Sequence, residues 1–174
     1  MLEHHGDLWV FGYGSLIWRP GFDYVERSPA LLKGAHRALC IYSHSHRGTP
    51  DLPGLVLGLD HGGACRGVAF RVEEHRQAET IAYLREREQI TMVYKETVRP
   101  VRLADGRTVL ALCYVVDRRH GQYAARLQRE DVLRLVRQGI GKSGPNPEYV
   151  RNTALALKDL GIHDSLLDWI VERL

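Results

Sequence analysis

The order of apolar patterns is the feature of this sequence that most restricts its fold. Strand-like runs, continuous or alternating, occupy most of the first two thirds, and helical patterns occupy the last third. The strand-like segments are residues 8–12, 30–43, 54–59, 65–71, 92–103 and 108–117. One helical pattern, residues 74–89, interrupts them, and three more follow Gln122. Because strands and helices are largely segregated, the order predicts an α+β fold: a strongly bent sheet or small barrel with helices packed against it.

Local signals mark two of the boundaries. Asp105-Gly106 separates the last two strand-like runs and predicts a hairpin turn. Asn146, Pro147 and Glu148 supply an N-cap, a proline at the first helical position and an acid in the first turn. Together they predict the start of a helix, and Gly161 predicts its end.

Length and composition predict one soluble domain, residues 1–174. The chain has 174 residues, of which 44% are hydrophobic and 26% are charged, enough for one sizeable core. Its formal net charge of +3 is too small to indicate nucleic-acid binding, although it suits a small anionic ligand. No stretch approaches the ~20 apolar residues of a membrane helix, and the N-terminus lacks the pattern of a signal peptide. We therefore expect a cytoplasmic protein that binds neither membrane nor nucleic acid, and no feature demands a protein partner.

Cysteine and histidine patterns predict no metal site. Cys40, Cys65 and Cys113 are an odd number without C-x-x-C spacing, which predicts reduced thiols buried as small core residues. His44 and His46 would share one face of a strand, an arrangement that a metal can use. No third ligand stands at a suitable spacing, so we expect a solvated or hydrogen-bonded histidine pair.

Three familiar motifs are incomplete. The pair Gly12-x-Gly14 would need a third glycine where Ile17 stands to form a dinucleotide fingerprint. Residues 141–143 resemble the end of a phosphate-binding P-loop, but Val136 occupies the position of its first glycine. Ser15 is followed by Leu-Ile, so the G-x-S-x-G nucleophile motif is absent as well.

Residues 11–18, FGYGSLIW, place two glycines and a serine directly after an apolar strand. Glycines there permit positive φ and a close approach of the backbone to a ligand, so that successive N–H groups can form an anion-binding concavity. Ser15 adds a hydroxyl donor. A tight turn that needs glycine for its geometry alone explains the same residues equally well.

One carboxylate stands out from helical spacing. On a helix over residues 74–89, at ~100° per residue, Glu88 falls between Ile81 and Leu84 on the apolar face. Burial there raises the pKa of a carboxyl above its reference of ~4.3 and suits it to move protons near neutrality. The alternatives are a structural ion pair with a neighbouring arginine, or a helix that frays before residue 88. Arg87 itself is expected to face solvent.

The motif at residues 11–18 resembles the opening signature of the γ-glutamylcyclotransferases, in particular the ChaC family that acts on glutathione. Further blocks that resemble this family, in its order, are Lys33-Gly34 through His46-Arg47-Gly48-Thr49-Pro50 and Pro53-Gly54, then Tyr83–Glu88, Thr91 and Tyr94, and Ser143–Tyr149. Together the blocks span about residues 8–165. Gln89 and Met92 replace a methionine and a glycine common in the family, which affects the expected shape of the substrate site and not the catalytic position.

The resemblance implies a fold and a set of site residues. The fold is a small distorted β-barrel, a bent mixed sheet flanked by helices, in agreement with the order of elements. The family's catalytic glutamate corresponds to Glu88. Its loop for the γ-glutamyl group, which binds through backbone N–H groups and a serine, corresponds to Gly12, Tyr13, Gly14, Ser15 and Leu16.

Three further substrate contacts are predicted with less support from the motifs. Arg47 is expected to contact a substrate carboxylate, because the guanidinium fork suits carboxylates and glutathione carries two. Tyr94 and Tyr149 match family tyrosines that lie near the pocket, although aromatic residues at these spacings are also typical of a core.

The implied reaction is an intramolecular cyclisation that needs no metal or other cofactor. The α-amine of a γ-glutamyl amide attacks its own γ-carbonyl, which yields 5-oxoproline and releases the amine of the next residue, Cys-Gly when the substrate is glutathione. Glu88 would act first as general base and then as general acid. The enzyme class is a carbon–nitrogen lyase.

Two alternatives stay open. The same cyclisation on another γ-glutamyl amide, such as a γ-glutamyl amino acid or amine, fits the same residues. A non-catalytic binding or regulatory protein is the other, in line with the cation-transport-regulator label attached to this family. Glu88 weighs against it, because a glutamate at an apolar helical position costs stability.

Overall fold

The computed structural model describes residues 6–89 and 91–174. Five strands close into a barrel flanked by helices, which confirms the predicted α+β fold. The elements follow in the order β1 (Leu8–Gly12), α1 (Ser15–Trp18), β2 (Glu26–Ser43), β3 (Gly54–Val72), a 3₁₀ turn (Glu74–Arg76), α2 (Gln77–Glu88), β4 (Tyr94–Leu103), β5 (Thr108–Val116), α3 (Arg129–Gln138), β6 (Ile140–Gly141), β7 (Gly144–Pro145), α4 (Asn146–Asp159) and α5 (Ser165–Val171).

The barrel is a mixed sheet. Its strands follow the order β1-β3-β2-β4-β5, and β1 pairs with β5 to close the ring. The contacts of β5 with β1 and with β3 are parallel, whereas the other pairs are antiparallel. Closure leaves these strands without a long free edge, which a curved sheet of this size would otherwise expose.

The longest strand differs from its prediction. The sequence pattern gave two strands, residues 54–59 and 65–71, where β3 is continuous and pairs with β2 along its length. The pairing is irregular between Lys33 and Ala35, opposite Gly62-Gly63, whose φ angles are positive. A bulge of this kind bends a strand without ending it. The interruption in the apolar pattern therefore marks a bend within one strand.

Strand β1 is buried on both faces. Trp9 and Phe11 belong to an apolar cluster that includes side chains of α3, α4 and α5, whereas Leu8 and Val10 belong to a second cluster with Leu84 of α2. Alternate residues of a strand point to opposite faces, which explains the division. The chain that leaves β1 therefore meets side chains from α2 on one side and from α4 on the other.

The helix ends agree with the sequence signals in part. Gly161, with φ of +70°, follows α4 as predicted, and the turn at Asp105-Gly106 is present, with φ of +93° at its glycine. The prediction that Asn146 caps α4 was wrong. Asn146 is the first helical residue, and its amide instead binds the backbone of Leu55 in β3.

Helix α1 was not predicted. Its four residues are too few for a periodic pattern, and its stability comes from outside the helix. Trp18 donates its indole N–H to Thr153 Oγ1 of α4 at 3.1 Å, and Leu16 and Ile17 are buried. Tertiary contacts thus decide the conformation of the segment directly after the glycine loop.

Candidate active site

A cavity of about 430 Å³ opens where β1, α2, β4 and α4 converge. This volume lies within the range of ~300–1,000 Å³ that is usual for small-molecule sites. Every residue predicted to act in catalysis or substrate binding lines it except Gly12. Those that line it are Tyr13, Gly14, Ser15, Leu16, Arg47, Glu88, Tyr94 and Tyr149.

Close packing, and not positive φ, accounts for the glycines of the loop. A Cβ on Gly12 would lie 3.1 Å from Leu16 Cβ, so this residue is needed where β1 turns into α1. A Cβ on Gly14 would lie 3.3 Å from Leu57 Cδ1 and would narrow the cavity. Gly14 has φ of −143°, and Gly12 is also outside the positive-φ region. The expectation of positive φ was wrong. The tight packing at Gly12 and Gly14 is against side chains of the protein itself, so a close approach of the loop backbone to a ligand stays a prediction.

The loop that lines the cavity offers backbone donors. Arg37 Nε donates to the carbonyl oxygen of Tyr13 at 2.6 Å. Because a trans peptide unit is planar, the N–H of Gly14 points away from Arg37. The first turn of a helix leaves N–H groups without intrahelical acceptors, here those of Ser15 and Leu16. These groups are suited to bind an anionic or carbonyl oxygen.

Glu88 is the last residue of α2, and its side chain is 14% exposed. Burial raises the pKa of its carboxyl, and the guanidinium of Arg87, whose Nε lies 3.5 Å from Oε1, lowers it in part. Leu84, one turn earlier, is fully buried, so the helical spacing predicted the face of Glu88 correctly. A carboxyl with a raised pKa is suited to exchange protons near neutral pH.

Two tyrosines of the cavity are tied to one residue of β3. Tyr94 donates its hydroxyl hydrogen to the carbonyl oxygen of Leu57 at 2.8 Å, and Tyr149 accepts a hydrogen bond from the N–H of Leu57 at 3.0 Å. Burial raises the pKa of Tyr149 to about 12 and that of Tyr94 well above its usual value, so both phenols are neutral. Because Tyr149 accepts from Leu57, its own hydroxyl hydrogen is left for another acceptor.

One end of the cavity is basic. Arg47 is 5% exposed, donates to the carbonyl oxygen of Pro145 at 3.1 Å, and lies 5.6 Å from the ring centroid of Tyr149. His46 is beside it, with Nδ1 2.9 Å from Ser143 Oγ. Burial, followed by nearby cations, lowers the pKa of His46. Arg47 was predicted as a site residue from the sequence, whereas His46 and Ser143 were not.

The prediction that Arg87 faces solvent was wrong. Its side chain is 18% exposed and lines the cavity. It donates to Ser15 Oγ at 2.9 Å and to the hydroxyl of Tyr83 at 3.0 Å. Tyr83 precedes it by four residues, and side chains at this spacing are neighbours on a helix. The spacing predicts this contact with Tyr83, but it does not indicate the contact with Ser15 or a place in the cavity.

The expectation that His44 and His46 share one face of a strand was wrong, because β2 ends at Ser43. His44 stacks against Tyr42, with ring centroids 6.4 Å apart, and does not meet His46. Within residues 6–89 and 91–174, no cluster of three or more metal-ligating side chains occurs. All three cysteines are buried and unpaired, as predicted.

Among the described residues, none of the helices combines the length and the apolar character needed to cross a bilayer.

Comparisons with known proteins agree on one family. The family model described as ChaC-like protein matches residues 8–174. The glutathione-specific gamma-glutamylcyclotransferase of Escherichia coli (strain K12) is 36% identical over 163 residues, which cover 94% of this chain and 71% of that protein. The human glutathione-specific gamma-glutamylcyclotransferase 1 is 33% identical over 151 residues, with coverage of 84% and 68%.

A solved crystal structure has the same fold as this chain. The crystal structure of the yeast γ-glutamyl cyclotransferase specific to glutathione matches with a TM-score of 0.88 and 23% identity, over 97% of this chain and 95% of that one. At this identity the match concerns the fold alone. The sequence matches extend further, and the chain belongs to the ChaC-like protein family.

Proposed function

We propose that this protein is a glutathione-specific γ-glutamylcyclotransferase, which converts glutathione into 5-oxoproline and Cys-Gly. The family membership and the curated relatives support this activity. The observation that carries the proposal at the level of residues is a shared contact. One guanidinium group, that of Arg87, lies 2.9 Å from Ser15 Oγ and 3.5 Å from Glu88 Oε1. The loop and the buried carboxylate are therefore close enough to act on one small substrate.

The substrate carries its own nucleophile. The α-amine of the γ-glutamyl group attacks the γ-carbonyl carbon, a five-membered ring closes, and the bond from that carbon to the nitrogen of cysteine breaks. Well-oriented intramolecular reactions reach effective molarities of ~10⁵–10⁸ M. Holding the substrate folded is thus a large part of the catalysis, and a cavity with donors on one side and a carboxylate on the other is suited to this task.

Glu88 moves the proton in this proposal. An ammonium group has no lone pair, so the ionised carboxylate first takes a proton from the α-ammonium group. The protonated carboxyl then gives that proton to the leaving nitrogen, so the carboxylate is regenerated in each cycle. The nitrogen of the new ring loses its second surplus proton, and the released amine takes up one proton to become an ammonium group, so the protons balance. The raised pKa of Glu88 makes both transfers accessible near neutral pH.

The loop stabilises the charge that develops on the γ-carbonyl oxygen. Backbone N–H groups of residues 13–16 supply donors, and removal of one donor from such a site typically costs ~10²- to 10³-fold in kcat. Arg47 at the basic end binds a substrate carboxylate, and the hydroxyl hydrogen of Tyr149 is directed to the substrate.

The proposed setting follows from the substrate. Glutathione is a small anionic peptide, and the partners we propose are small molecules, with neither nucleic acid nor membrane required. We propose a cytoplasmic location because the three cysteines are free thiols, as is usual in a reducing compartment. Among the alternatives, the buried Glu88 disfavours a purely regulatory protein, since ionisation there costs stability without benefit to binding alone.

The experiment that tests the proposal is a comparison of substrates. Purified protein without added metal is incubated with glutathione, γ-glutamyl-alanine and ε-(γ-glutamyl)-lysine, and 5-oxoproline is measured. We expect turnover of glutathione and little of the other two, and loss of turnover in a folded Glu88→Gln variant. Turnover of another γ-glutamyl amide in preference to glutathione would retain the mechanism and overturn the specificity. Binding without turnover of any of them would overturn the enzyme.

A further inference from the structure

Arg87 makes more polar contacts than the reaction proposed above requires of it. Its Nη1 donates to the carbonyl oxygens of Arg19 and Pro20, at 2.5 and 3.1 Å, and to the hydroxyl of Tyr83 at 3.0 Å. Its Nη2 donates to Ser15 Oγ at 2.9 Å. A single side chain of α2 thus holds both ends of the segment that contains α1.

Tyr83 completes this attachment. A Cβ on Gly21, which has φ of +75°, would lie 2.0 Å from the Tyr83 hydroxyl oxygen, so the tyrosine packs directly on the backbone there. Tyr83 and Arg87 are neighbours on one face of the helix. Together they fix the segment after the glycine loop to the helix that ends in Glu88.

The bond to Ser15 determines what the serine hydroxyl can do. A hydroxyl has one hydrogen to donate and two lone pairs that accept. Arg87 has no lone pair to offer and is always a donor, so Ser15 accepts from it and keeps its own hydrogen. Because that hydroxyl lines the cavity, the hydrogen is free for the substrate. The positive charge beside the oxygen also strengthens the hydroxyl as a donor.

We propose that Arg87 is a positioning residue for the cyclisation, which acts through Ser15: it sets the serine hydroxyl as a donor to the reacting γ-carbonyl oxygen and keeps the loop in register with Glu88. This inference rests on the proposed function and adds a role for a residue whose side chain was expected in solvent. It separates two effects of Arg87, a contact that matters in the transition state and a set of contacts that stabilises the fold.

The test is a double-mutant cycle on kcat and KM for glutathione. The variants are Ser15→Ala, Arg87→Lys and the double variant. Lysine keeps the positive charge, but its compact ammonium group cannot donate to both Ser15 and the backbone as the planar guanidinium group of arginine does. We expect each single variant to lower kcat about 10-fold or more, with KM within about 3-fold of wild type, because the contact acts on the developing charge. The double variant should lose no more than about 3-fold beyond the worse single variant.

Arg85→Gln is the matched control. Arg85 lies in the same helix and forms a bidentate salt bridge with Glu96. Its Nε and Nη2 donate to Oε2 and Oε1 of the carboxylate, at 3.0 and 2.9 Å. Its loss removes comparable contacts on a surface away from Ser15. We expect a lower melting temperature with kcat within about 2-fold of wild type.

Three results would overturn the inference about Arg87. In each of them the wild-type protein still converts glutathione, so the proposed function would stand. They are losses that multiply in the double variant, an Arg87→Lys variant as active as wild type, and a kcat loss in Arg85→Gln equal to that in Arg87→Lys. Should Arg87→Lys fail to fold, Tyr83→Phe replaces it, since it removes one acceptor of the guanidinium and keeps the ring. We expect Tyr83→Phe to lower kcat less than Arg87→Lys would. In a protein that already carries Ser15→Ala, Tyr83→Phe should lower kcat no further. Absence of turnover in the wild type is a separate outcome, which overturns the proposed function itself.

Discussion

The backbone N–H of Leu57 donates to the hydroxyl oxygen of Tyr149 at 3.0 Å, in the wall of the cavity. The carbonyl oxygen of the same leucine accepts from Tyr94 at 2.8 Å. Leu57 in β3 is thus joined to the first residue of β4 and to a residue of α4 through two phenols. These tyrosines contribute to the walls of the site and to the assembly of the barrel, and the two roles can be separated.

Tyr149→Phe should lower the free energy of unfolding by about 1–3 kcal/mol, because the buried N–H of Leu57 loses its acceptor. Tyr94→Phe should have a similar effect through the carbonyl oxygen. Urea unfolding measures both, and Tyr24→Phe, at an exposed tyrosine, is the control. A Tyr149→Phe variant as stable as wild type would show that another donor or acceptor takes over.

Glu88→Gln should be more stable than wild type at pH 8. The pKa of Glu88 is higher in the folded chain than in the unfolded chain, so protonation favours folding. That stabilisation is fully present below the unfolded value of ~4.3 and is lost as the pH rises through the folded pKa. Each 1 kcal/mol gained would raise Tm by about 2–4 °C in a chain of this size.

Thermal melts from pH 4 to pH 8 measure this difference. The gain from Glu88→Gln should shrink toward pH 4, because the wild-type carboxyl is then protonated in the folded state and mostly protonated in the unfolded state. Glu86→Gln, at an exposed glutamate of the same helix, is the control. A difference that is independent of pH would mean that the carboxyl is not destabilised by burial.

The pH dependence of kcat/KM should report the same carboxyl through the activity. If Glu88 is the general base, kcat/KM rises with pH through a pKa above the usual carboxyl range, because burial raises the pKa of this carboxyl in the free protein. Initial rates of 5-oxoproline formation at glutathione concentrations well below KM, from pH 4 to pH 9, give this limb. A limb at ~4, or a flat profile, would assign the base to another group.

Arg47→Gln should raise KM for glutathione about 10-fold or more, since a hydrogen bond to a charged group contributes ~1.5–3 kcal/mol. A γ-glutamyl alkylamide, which lacks the carboxylate of the leaving group, separates the two carboxylates of glutathione. An unchanged KM for the alkylamide would assign Arg47 to the leaving-group carboxylate, and an equal loss would assign it to the γ-glutamyl carboxylate. An unchanged KM for both would remove Arg47 from substrate binding.

Asn146→Ala should be among the most destabilising substitutions in α4. The fully buried amide accepts from the N–H of Leu55 and donates to its carbonyl oxygen, both at 2.8 Å, as a paired strand would. Loss of both partners should cost about 2–5 kcal/mol, from two unsatisfied backbone groups. Asn152→Ala, at a half-buried position of the same helix, is the control in chemical denaturation. Equal losses in the two variants would contradict this role.

Elements with local causes were predictable from the sequence. Strand β1 is a short apolar run, the turn at Asp105-Gly106 depends on its glycine, and the buried face of Glu88 follows from helical spacing. The elements that the sequence analysis missed depend on distant contacts. Helix α1 is held by a bond from Trp18 to α4, and no pattern within four residues encodes it.

The residues of the site also divide into those that the sequence could locate and those that depend on distant contacts. Glu88 and the loop could be located from spacing and motif, because each lies in one continuous segment. Leu57 could not, since its backbone and not its side chain binds the two tyrosines. Arg87 was misplaced because its acceptors in the segment after β1 come together with it only in three dimensions.

The closure of the barrel by β1 also affects how fast the chain folds. Leu8–Gly12 pairs with residues 68–72 and with Ala111-Leu112, so the first strand to be synthesised acquires its last neighbour late. Folds that depend on such distant pairings form slowly compared with those built on local contacts. Tyr149 emerges later still, and a nascent chain that lacks it has the loop and Glu88 but an incomplete cavity wall. Activity should therefore arise only after Tyr149 has been synthesised, so that shorter nascent chains do not consume substrate.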